Sequence, residues 1–322
     1  MIGALLAVLA VVAVWVSRQA LETEEWTRTS SALLEEPAVQ SAVAGFLVDE
    51  LYANVDVEDE LRAALPDRAD ALAGPVAGAL RGSAERVARE ALDRPRVQAA
   101  WENANRRAHE LLVDVVLENR RDLLATDRDV VTLDLKTLLG ELAARVGARR
   151  DVVDKLPAEA ATIEVLRSDQ LGMVQSIARA IKPLTLALLF GVFACFGGAV
   201  ALARGHRREI VRDVGVGLVL AGGAALVVRR LAGGVVVDAL ASTAAVQPAI
   251  RDAWRVGTSL LLDTAMAVLA YGALAIAGAW LAGPARVAVR LRSELAPYLR
   301  DARVTYGVVA AVVLLVLFWG PT

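Results

Sequence analysis

Three residues on one predicted helix are the first candidates for a functional site in this chain. Trp101, Asn105 and His109 are spaced four positions apart in the segment Arg96 to Leu117. This spacing places their side chains along one edge of an apolar helical stripe. An indole, an amide and an imidazole in that arrangement could meet a partner or a small ligand. The spacing favours the simpler interpretation, a hydrogen-bonded histidine at the edge of a core.

The sequence around His109 supplies neither metal ligands nor catalytic partners. The residues three and four positions away are Asn105, Arg106, Leu112 and Val113, none of them a carboxylate, a histidine or a cysteine. A catalytic histidine would need an acid and a nucleophile from distant segments, with Asp134 as one candidate acid. Phosphate-binding, hydrolase and zinc-protease motifs are also missing from the sequence. We therefore predict no catalytic, cofactor-binding or metal-binding residues.

Charged residues in apolar runs give a second candidate site. Asp263 lies inside the run Thr258 to Ala282, and Arg229 and Arg230 follow the run Val214 to Val228. The helical rise puts the three residues at depths that an arginine side chain can bridge. Unpaired charge within a membrane is costly, so we predict that Asp263 pairs with one of the two arginines. The pair would be a staple between helices or, as the less favoured alternative, a proton or solute relay.

The composition indicates two solvents for two parts of the chain. Apolar residues make up 56% of the 322 residues and charged residues 22%, which is too apolar for a typical soluble enzyme. Residues 18–182 hold 22 basic and 30 acidic residues, whereas the remainder holds 13 and 7. The single cysteine, Cys195, lies in an apolar run, where its thiol would behave as a small apolar group. We predict lipid around the apolar runs and water around the acidic segment.

Four apolar runs approach or exceed the roughly 20 residues that a spanning helix needs, and a fifth, Val214 to Val228, is marginal unless it continues to Val237. We divide the chain into an N-terminal anchor at 1–17, a helical domain at 18–182 and a membrane bundle at 183–322. The first run could instead be a cleaved signal peptide, but it has no basic segment before it. The spans of the bundle are placed at 183–203, 214–230 (with 237 as an alternative end), 258–282 and 304–320.

The arginines in two short connections predict the orientation. Four arginines lie between 204 and 213, and five lie between 284 and 303. Basic residues in short connections favour the cytoplasmic side. Alternation of the spans then puts 18–182, the connection at 231–257 and the C-terminus outside the cytoplasm, in the cell membrane. Arg251 and Arg255 in the outer connection are the feature that this topology does not explain.

The segment 18–182 is predicted to be mostly helical. Apolar residues recur at helical spacing in Pro37 to Leu51, Ala69 to Leu92 and Arg96 to Leu117. The openings Leu34 to Ala42 and Leu92 to Ala100 resemble each other, which we attribute to shared helix-start chemistry in preference to an internal duplication. The fold class is thus mainly α: a polytopic helical membrane protein with a helical outer domain. That domain is also predicted to contain a short two-stranded β element, Val130 to Leu135 and Thr162 to Leu166, paired around a helix at Lys136 to Val146.

Several motifs resemble a family of uncharacterised actinobacterial integral membrane proteins. The likeness rests on Pro37-x-Val39-Gln40, Trp101-x-x-Ala104-Asn105-x-x-x-His109, Val131-x-Leu133-Asp134-Leu135 and Gly283-Pro284-x-Arg286-x-Ala288-Val289-Arg290. The resemblance covers nearly the whole chain and implies the topology given above. It also implies that a further apolar helix follows Thr322. No motif in it is catalytic.

The proportions of the two parts of the chain favour an interaction or sensing module over an enzyme. About half of it is an amphipathic domain, while the apolar runs hold few polar groups with which to handle a solute. We expect the chain to bind neither a cofactor nor nucleic acid. The partners that we expect are membrane lipid, an envelope protein or a second copy of the chain. A transporter of a small solute or lipid is the first alternative, and it would need a polar cavity at mid-membrane. An extracytoplasmic enzyme is the second.

Overall fold

The architecture comes from a computed structural model that describes residues 1–55, 57–64, 73–118, 125–127, 130–134, 162–241 and 243–290. The helices are α1 (Ile2–Leu21), α2 (Thr23–Glu35), α3 (Pro37–Asn54), α4 (Val57–Ala64), α5 (Ala73–Leu92), α6 (Pro95–Glu118), α7 (Ser168–Leu202), α8 (Arg207–Leu240), α9 (Gln247–Gly257) and α10 (Ser259–Leu281). The short extended segments are β1 (Ala125–Asp127), β2 (Val130–Asp134) and β3 (Thr162–Arg167). The mainly helical class is confirmed.

Some predicted elements lie outside the described residues. The helix Lys136 to Val146 is one of them, so the predicted pairing of two strands around it stays a prediction. The last apolar run, at 304–320, also lies outside the described part of the chain. Residues 168–182 continue directly into the second span, because α7 is one helix of 35 residues.

Four helices of the described residues are long and apolar enough to cross a membrane. They are Ile2–Leu21, Gly172–Leu202 within α7, Arg207–Leu240 and Ser259–Leu281. Their main-chain polar groups are satisfied within each helix, as hydrocarbon requires. The third of them continues past Arg229 and Arg230 to Leu240, which is the longer of the two alternatives for this span.

The chain divides into two compact units. Unit 1 comprises Met1–Arg18, Arg179–Gly234 and Thr258–Thr322, of which residues 291–322 are outside the described part. Unit 2 comprises Gln19–Ala178 and Val235–Gly257. The connection between the third and fourth candidate spans therefore belongs to the same unit as the large inserted domain, an association for which the sequence held no signal.

Glycines let α8 and α10 approach closely within unit 1. A Cβ on Gly222 would lie 2.7 Å from the carbonyl oxygen of Ala265, and one on Gly215 would lie 2.8 Å from that of Gly272. These two pairs are seven residues apart on each helix, so they form one stripe of contact. Small residues serve this purpose in membranes because lipid gives no hydrophobic drive for helix association. Gly223, one position further along α8, has nothing within 4 Å of its ideal Cβ.

The start of α8 meets the end of α10 at one end of unit 1. Arg208, in the first turn of α8, donates from Nε to the carbonyl oxygen of Ala279 in the last turn of α10, over 3.1 Å. Its guanidinium lies 3.0 Å from where a Cβ on Gly283 would stand. An arginine suits this position because the last carbonyls of a helix have no partner inside the helix. The start of α8 and the end of α10 therefore lie side by side.

In unit 2, two helical hairpins pack in matched pairs. α2 packs against α6, and α3 packs against α5. Leu34, Ala44 and Leu92 form a shared buried cluster, against which Val43 and Val97 pack. Pro37 and Pro95 begin α3 and α6 at equivalent places, so one hairpin corresponds to the other by a shift of 58 positions. This packing favours internal duplication, the less favoured of the two explanations for the similar helix openings.

The close α8–α10 approach gives a testable prediction. Gly222→Ala should lower the free energy of unfolding by about 1–3 kcal/mol, because the methyl group overlaps the backbone of α10. Gly223→Ala, with open space at its Cβ, should be neutral or stabilising by up to about 1 kcal/mol, since alanine favours the helix. Thermal unfolding of the purified chain in detergent measures both. Equal melting temperatures for the two variants would contradict the described approach of α8 and α10.

Candidate functional site

His109 lies buried in the contact between α2 and α6, within unit 2. Only 3% of its surface is exposed. Its Nδ1 lies 3.1 Å from the hydroxyl oxygen of Thr23, and its ring stacks on Trp26 with the ring centroids 5.2 Å apart. Nε2 is buried and forms no hydrogen bond of ordinary geometry among the described residues. His109 thus receives a polar contact and an aromatic contact from α2, and the carbonyl oxygen of Ala20 at the end of α1 also faces its ring.

Burial sets the protonation of this imidazole. It lowers the pKa of His109 below the ordinary value, because a charged ring loses hydration in the helix interface. The carbonyl oxygen of Ala20 and the carboxylate of Glu110 act in the opposite direction and weaken this shift without cancelling it. The ring is therefore neutral near pH 7, which suits a structural hydrogen bond to a hydroxyl group.

Trp101 and Asn105 do not join His109 in one site. Trp101 donates from Nε1 to the carbonyl oxygen of Ser30 in α2, over 3.0 Å. The side-chain amide of Asn105 donates to the carbonyl oxygen of Trp101 on its own helix, also over 3.0 Å. The structure brings each of the three residues to a different partner. Trp101 and His109 are two anchors of the same α2–α6 interface, about two helical turns apart.

An exposed charge network borders this interface. Arg106 on α6 pairs with Glu24 of α2 at 2.9 Å and with Glu102 of its own helix at 3.1 Å. The hydrogen bond from Arg106 lowers the pKa of Glu24 below its ordinary value, and the two carboxylates raise the pKa of Arg106. Exposed pairs of this kind contribute little to stability, so their role is to set register and local charge.

Sequence reasoning missed the α2 partners of His109 and Trp101. Thr23, Trp26 and Ser30 fall in a polar, acidic stretch, Thr23–Glu35, that shows no continuous apolar stripe. The available signal was the spacing of three, four and then four positions through Thr23, Trp26, Ser30 and Leu34, which marks one face of a helix.

In unit 1, Arg229 contacts a hydroxyl group. Its Nε donates to Oγ1 of Thr258 over 2.8 Å, and Thr258 is only 2% exposed. Thr258 occupies the N-cap position of α10, but its side chain makes no capping hydrogen bond there. Asp263 and Arg230 are exposed. The predicted ion pair stays a prediction.

A third location, which the sequence did not indicate, is an apolar groove where α9 meets α3. Its volume is about 310 Å³, and it is lined almost entirely by apolar atoms of Val39, Ala42, Val43, Phe46, Ala249, Ile250 and Ala253. At the edge of α9, Arg255 pairs with Glu36 at 2.8 Å and with Asp252 at 3.1 Å. These carboxylates raise the pKa of Arg255. Arg255, one of the two arginines that the predicted topology did not explain, thus helps to hold α9 against the rest of unit 2.

The described residues contain no group of three metal-binding side chains. Comparison of the chain with protein-family models, curated proteins and solved structures found no match. The resemblance to the actinobacterial membrane family therefore remains a prediction based on the motifs alone.

The buried histidine predicts how stability depends on pH. Because the pKa of His109 is lower in the folded chain than in the unfolded chain, its contribution is complete above about pH 6.5 and is lost as the pH falls below that value. His109→Phe keeps an aromatic ring against Trp26 and removes the titration. When the pH is lowered from 7.5 to 5.5, we expect the melting temperature of His109→Phe to fall by less than that of the wild type.

The other histidine supplies the control. His206 is exposed in the turn before α8, so His206→Gln should keep the full pH dependence of the wild type. Thermal unfolding of the detergent-solubilised chain at the two pH values gives the comparison. Identical pH dependence in His109→Phe and the wild type would show that the buried ring does not titrate with folding.

Proposed function

We propose that this chain is a non-enzymatic membrane protein of the cell envelope and that unit 2 is an interaction module outside the cytoplasm. One observation carries the proposal: α3 exposes large apolar side chains in consecutive turns beside the apolar groove. Leu47 and Leu51 of α3, and Val55 directly after its last residue, are four positions apart and are 49%, 51% and 41% exposed. Phe46, which lines the groove, is 65% exposed.

Exposed apolar side chains on this scale favour binding over catalysis. Contiguous apolar surface on a water-facing unit is unfavourable unless a partner covers it, so such patches mark interaction sites. α5, which packs on α3, adds Val76, Leu80 and Val87 to the exposed set.

The packing of α9 supports the proposed topology. α9 lies between the third and fourth candidate spans and packs on α2 and α3, which lie between the first and second. Segments in direct contact within one compact unit lie on the same side of a membrane. Strict alternation of the four candidate spans also puts α9 on the same side as α2 and α3. The contact of Arg208 with Ala279 likewise supports placing the two arginine-bearing connections together on the other side.

Photo-crosslinking in living cells tests the proposed function. A photoreactive phenylalanine analogue at Phe46 should give one discrete crosslinked species, because a partner covers the apolar face of α3. The same analogue at Glu90, an exposed polar position on α5, should give none. Mass spectrometry of the species identifies the partner, including a second copy of this chain. Absence of a discrete product at Phe46, or the same products at both positions, would contradict the proposal.

A further inference from the structure

A second groove lies between α2 and α6, on the surface of unit 2 that carries Trp101. Its volume is about 240 Å³, and it is half enclosed. Unlike the groove beside α9, it offers polar as well as apolar atoms. The lining residues on which the argument depends are Ser31 and Glu35 of α2, and Gln98, Ala99, Trp101 and Glu102 of α6.

The matched hairpins show what occupies the equivalent surface between α3 and α5. The shift of 58 positions relates Ser31 to Arg89, and it relates Ala99 to Ser41. At that surface Arg89 donates from Nη1 to the hydroxyl oxygen of Ser41 over 3.5 Å. A guanidinium group of the chain itself therefore lies across the α3–α5 interface. On the α2–α6 side the smaller side chain of Ser31 leaves the corresponding space open.

The same shift relates a hydrogen bond that is formed at one interface to two polar groups that do not bond to each other at the other interface. Gln40 is buried and donates from Nε2 to a carboxylate oxygen of Asp93 over 2.6 Å. The corresponding residues of the other interface are Gln98 and Glu35, which both line the groove. Among the described residues no hydrogen bond joins Gln98 to Glu35. Their amide and carboxylate groups thus remain accessible from the groove.

The groove presents the chemistry that binds a planar cation. Glu35 and Glu102 supply carboxylates, and the indole of Trp101, held by its bond to Ser30, supplies an aromatic face. Glu102 also pairs with Arg106, which leaves Glu35 as the stronger attraction for a new cation. The hydroxyl oxygen of Ser31 is buried and has no hydrogen-bond partner in the described structure. Guanidinium groups both stack on aromatic rings and bind carboxylates through paired hydrogen bonds.

We propose that this groove binds the guanidinium group of an arginine side chain on a partner polypeptide. The inference rests on the proposed function, because it names the partner chemistry that the interaction module recognises. The incoming arginine takes the place that Arg89 holds at the equivalent interface. Glu35 and Glu102 pair with its positive charge, and the indole of Trp101 stacks on its plane. The hydroxyl oxygen of Ser31 accepts a hydrogen bond from one of its N–H groups.

A peptide pair with matched shape tests the charge requirement. The probe is acetyl-Gly-Arg-Gly-amide, and its control carries citrulline, a neutral isostere, in place of arginine. The readout is the indole N–H resonance of Trp101 in the full-length chain in detergent, assigned with Trp101→Phe. The arginine peptide should shift this resonance saturably, whereas the citrulline peptide should bind at least tenfold more weakly. Equal responses to the two peptides would overturn the proposal.

Substitutions at the groove test the location. Ser31→Arg places the equivalent of Arg89 in the groove and should abolish the response to the peptide. Ser31→Ala keeps the space open and should bind within about threefold of the wild type. Glu35→Gln should weaken binding about tenfold. The resonances of the other five tryptophans report whether each variant is folded. Undiminished binding by a folded Ser31→Arg chain would place the peptide elsewhere and overturn the proposal.

The test is separate from that of the proposed function. Crosslinking at Phe46 depends on α3 and α9, and none of the groove residues lies on those helices. A discrete crosslink at Phe46 without a response to the arginine peptide would reject the groove and leave the interaction module standing. A response to the peptide without a crosslink would reject the apolar face of α3 as the principal contact.

Discussion

The contact between α9 and the helices α2 and α3 is the constraint on which the arrangement of this chain depends. It joins two segments that are separated along the chain by two candidate membrane spans. Its apolar part is formed by Ala249 and Ile250 against α3, and its edge is closed by the pair of Arg255 with Glu36. Lipid cannot separate two segments in van der Waals contact, so this interface supports the proposal that the two connections share one side of the membrane.

Two helix pairs form the interior of unit 2. α2 with α6, and α3 with α5, bury apolar side chains in a common cluster, which provides most of the stabilisation that short amphipathic helices need. The polar contacts differ between the two interfaces. One interface holds His109 and Trp101, whereas the other holds the Gln40–Asp93 bond and Arg89. This difference in polar groups is the basis on which we propose a binding groove at the α2–α6 interface alone.

The sequence predicted the helical class and the apolar spans because these depend on local patterns. Hydropathy over about 20 residues and the helical spacing of apolar residues are properties of a continuous segment. The structure describes α7, α8 and α10 where such runs occur, and α6 where Val97 to Val115 showed the stripe. The buried side chain of His109 also follows from its position on that stripe.

The partners of these residues depend on contacts between distant segments, which a single sequence does not specify. Thr23 and Trp26 are more than 80 positions from His109, and Arg255 is more than 200 from Glu36. The approximate depth of Arg229 was predictable, but the hydroxyl group of Thr258 as its acceptor was not. For α9, eleven residues of alternating charge and apolar character gave no indication of which surface they would cover.

Sidedness of the connections is the most direct test of this account, and cysteine labelling in intact cells measures it. In a chain with Cys195→Ala, single cysteines at Glu90, Arg251 and His206 occupy exposed positions on α5, on α9 and in the turn before α8. The account predicts that a membrane-impermeant maleimide labels the first two positions in intact cells. The third should react only after permeabilisation. Labelling at His206 with protection of Glu90, or different labelling of Glu90 and Arg251, would contradict it.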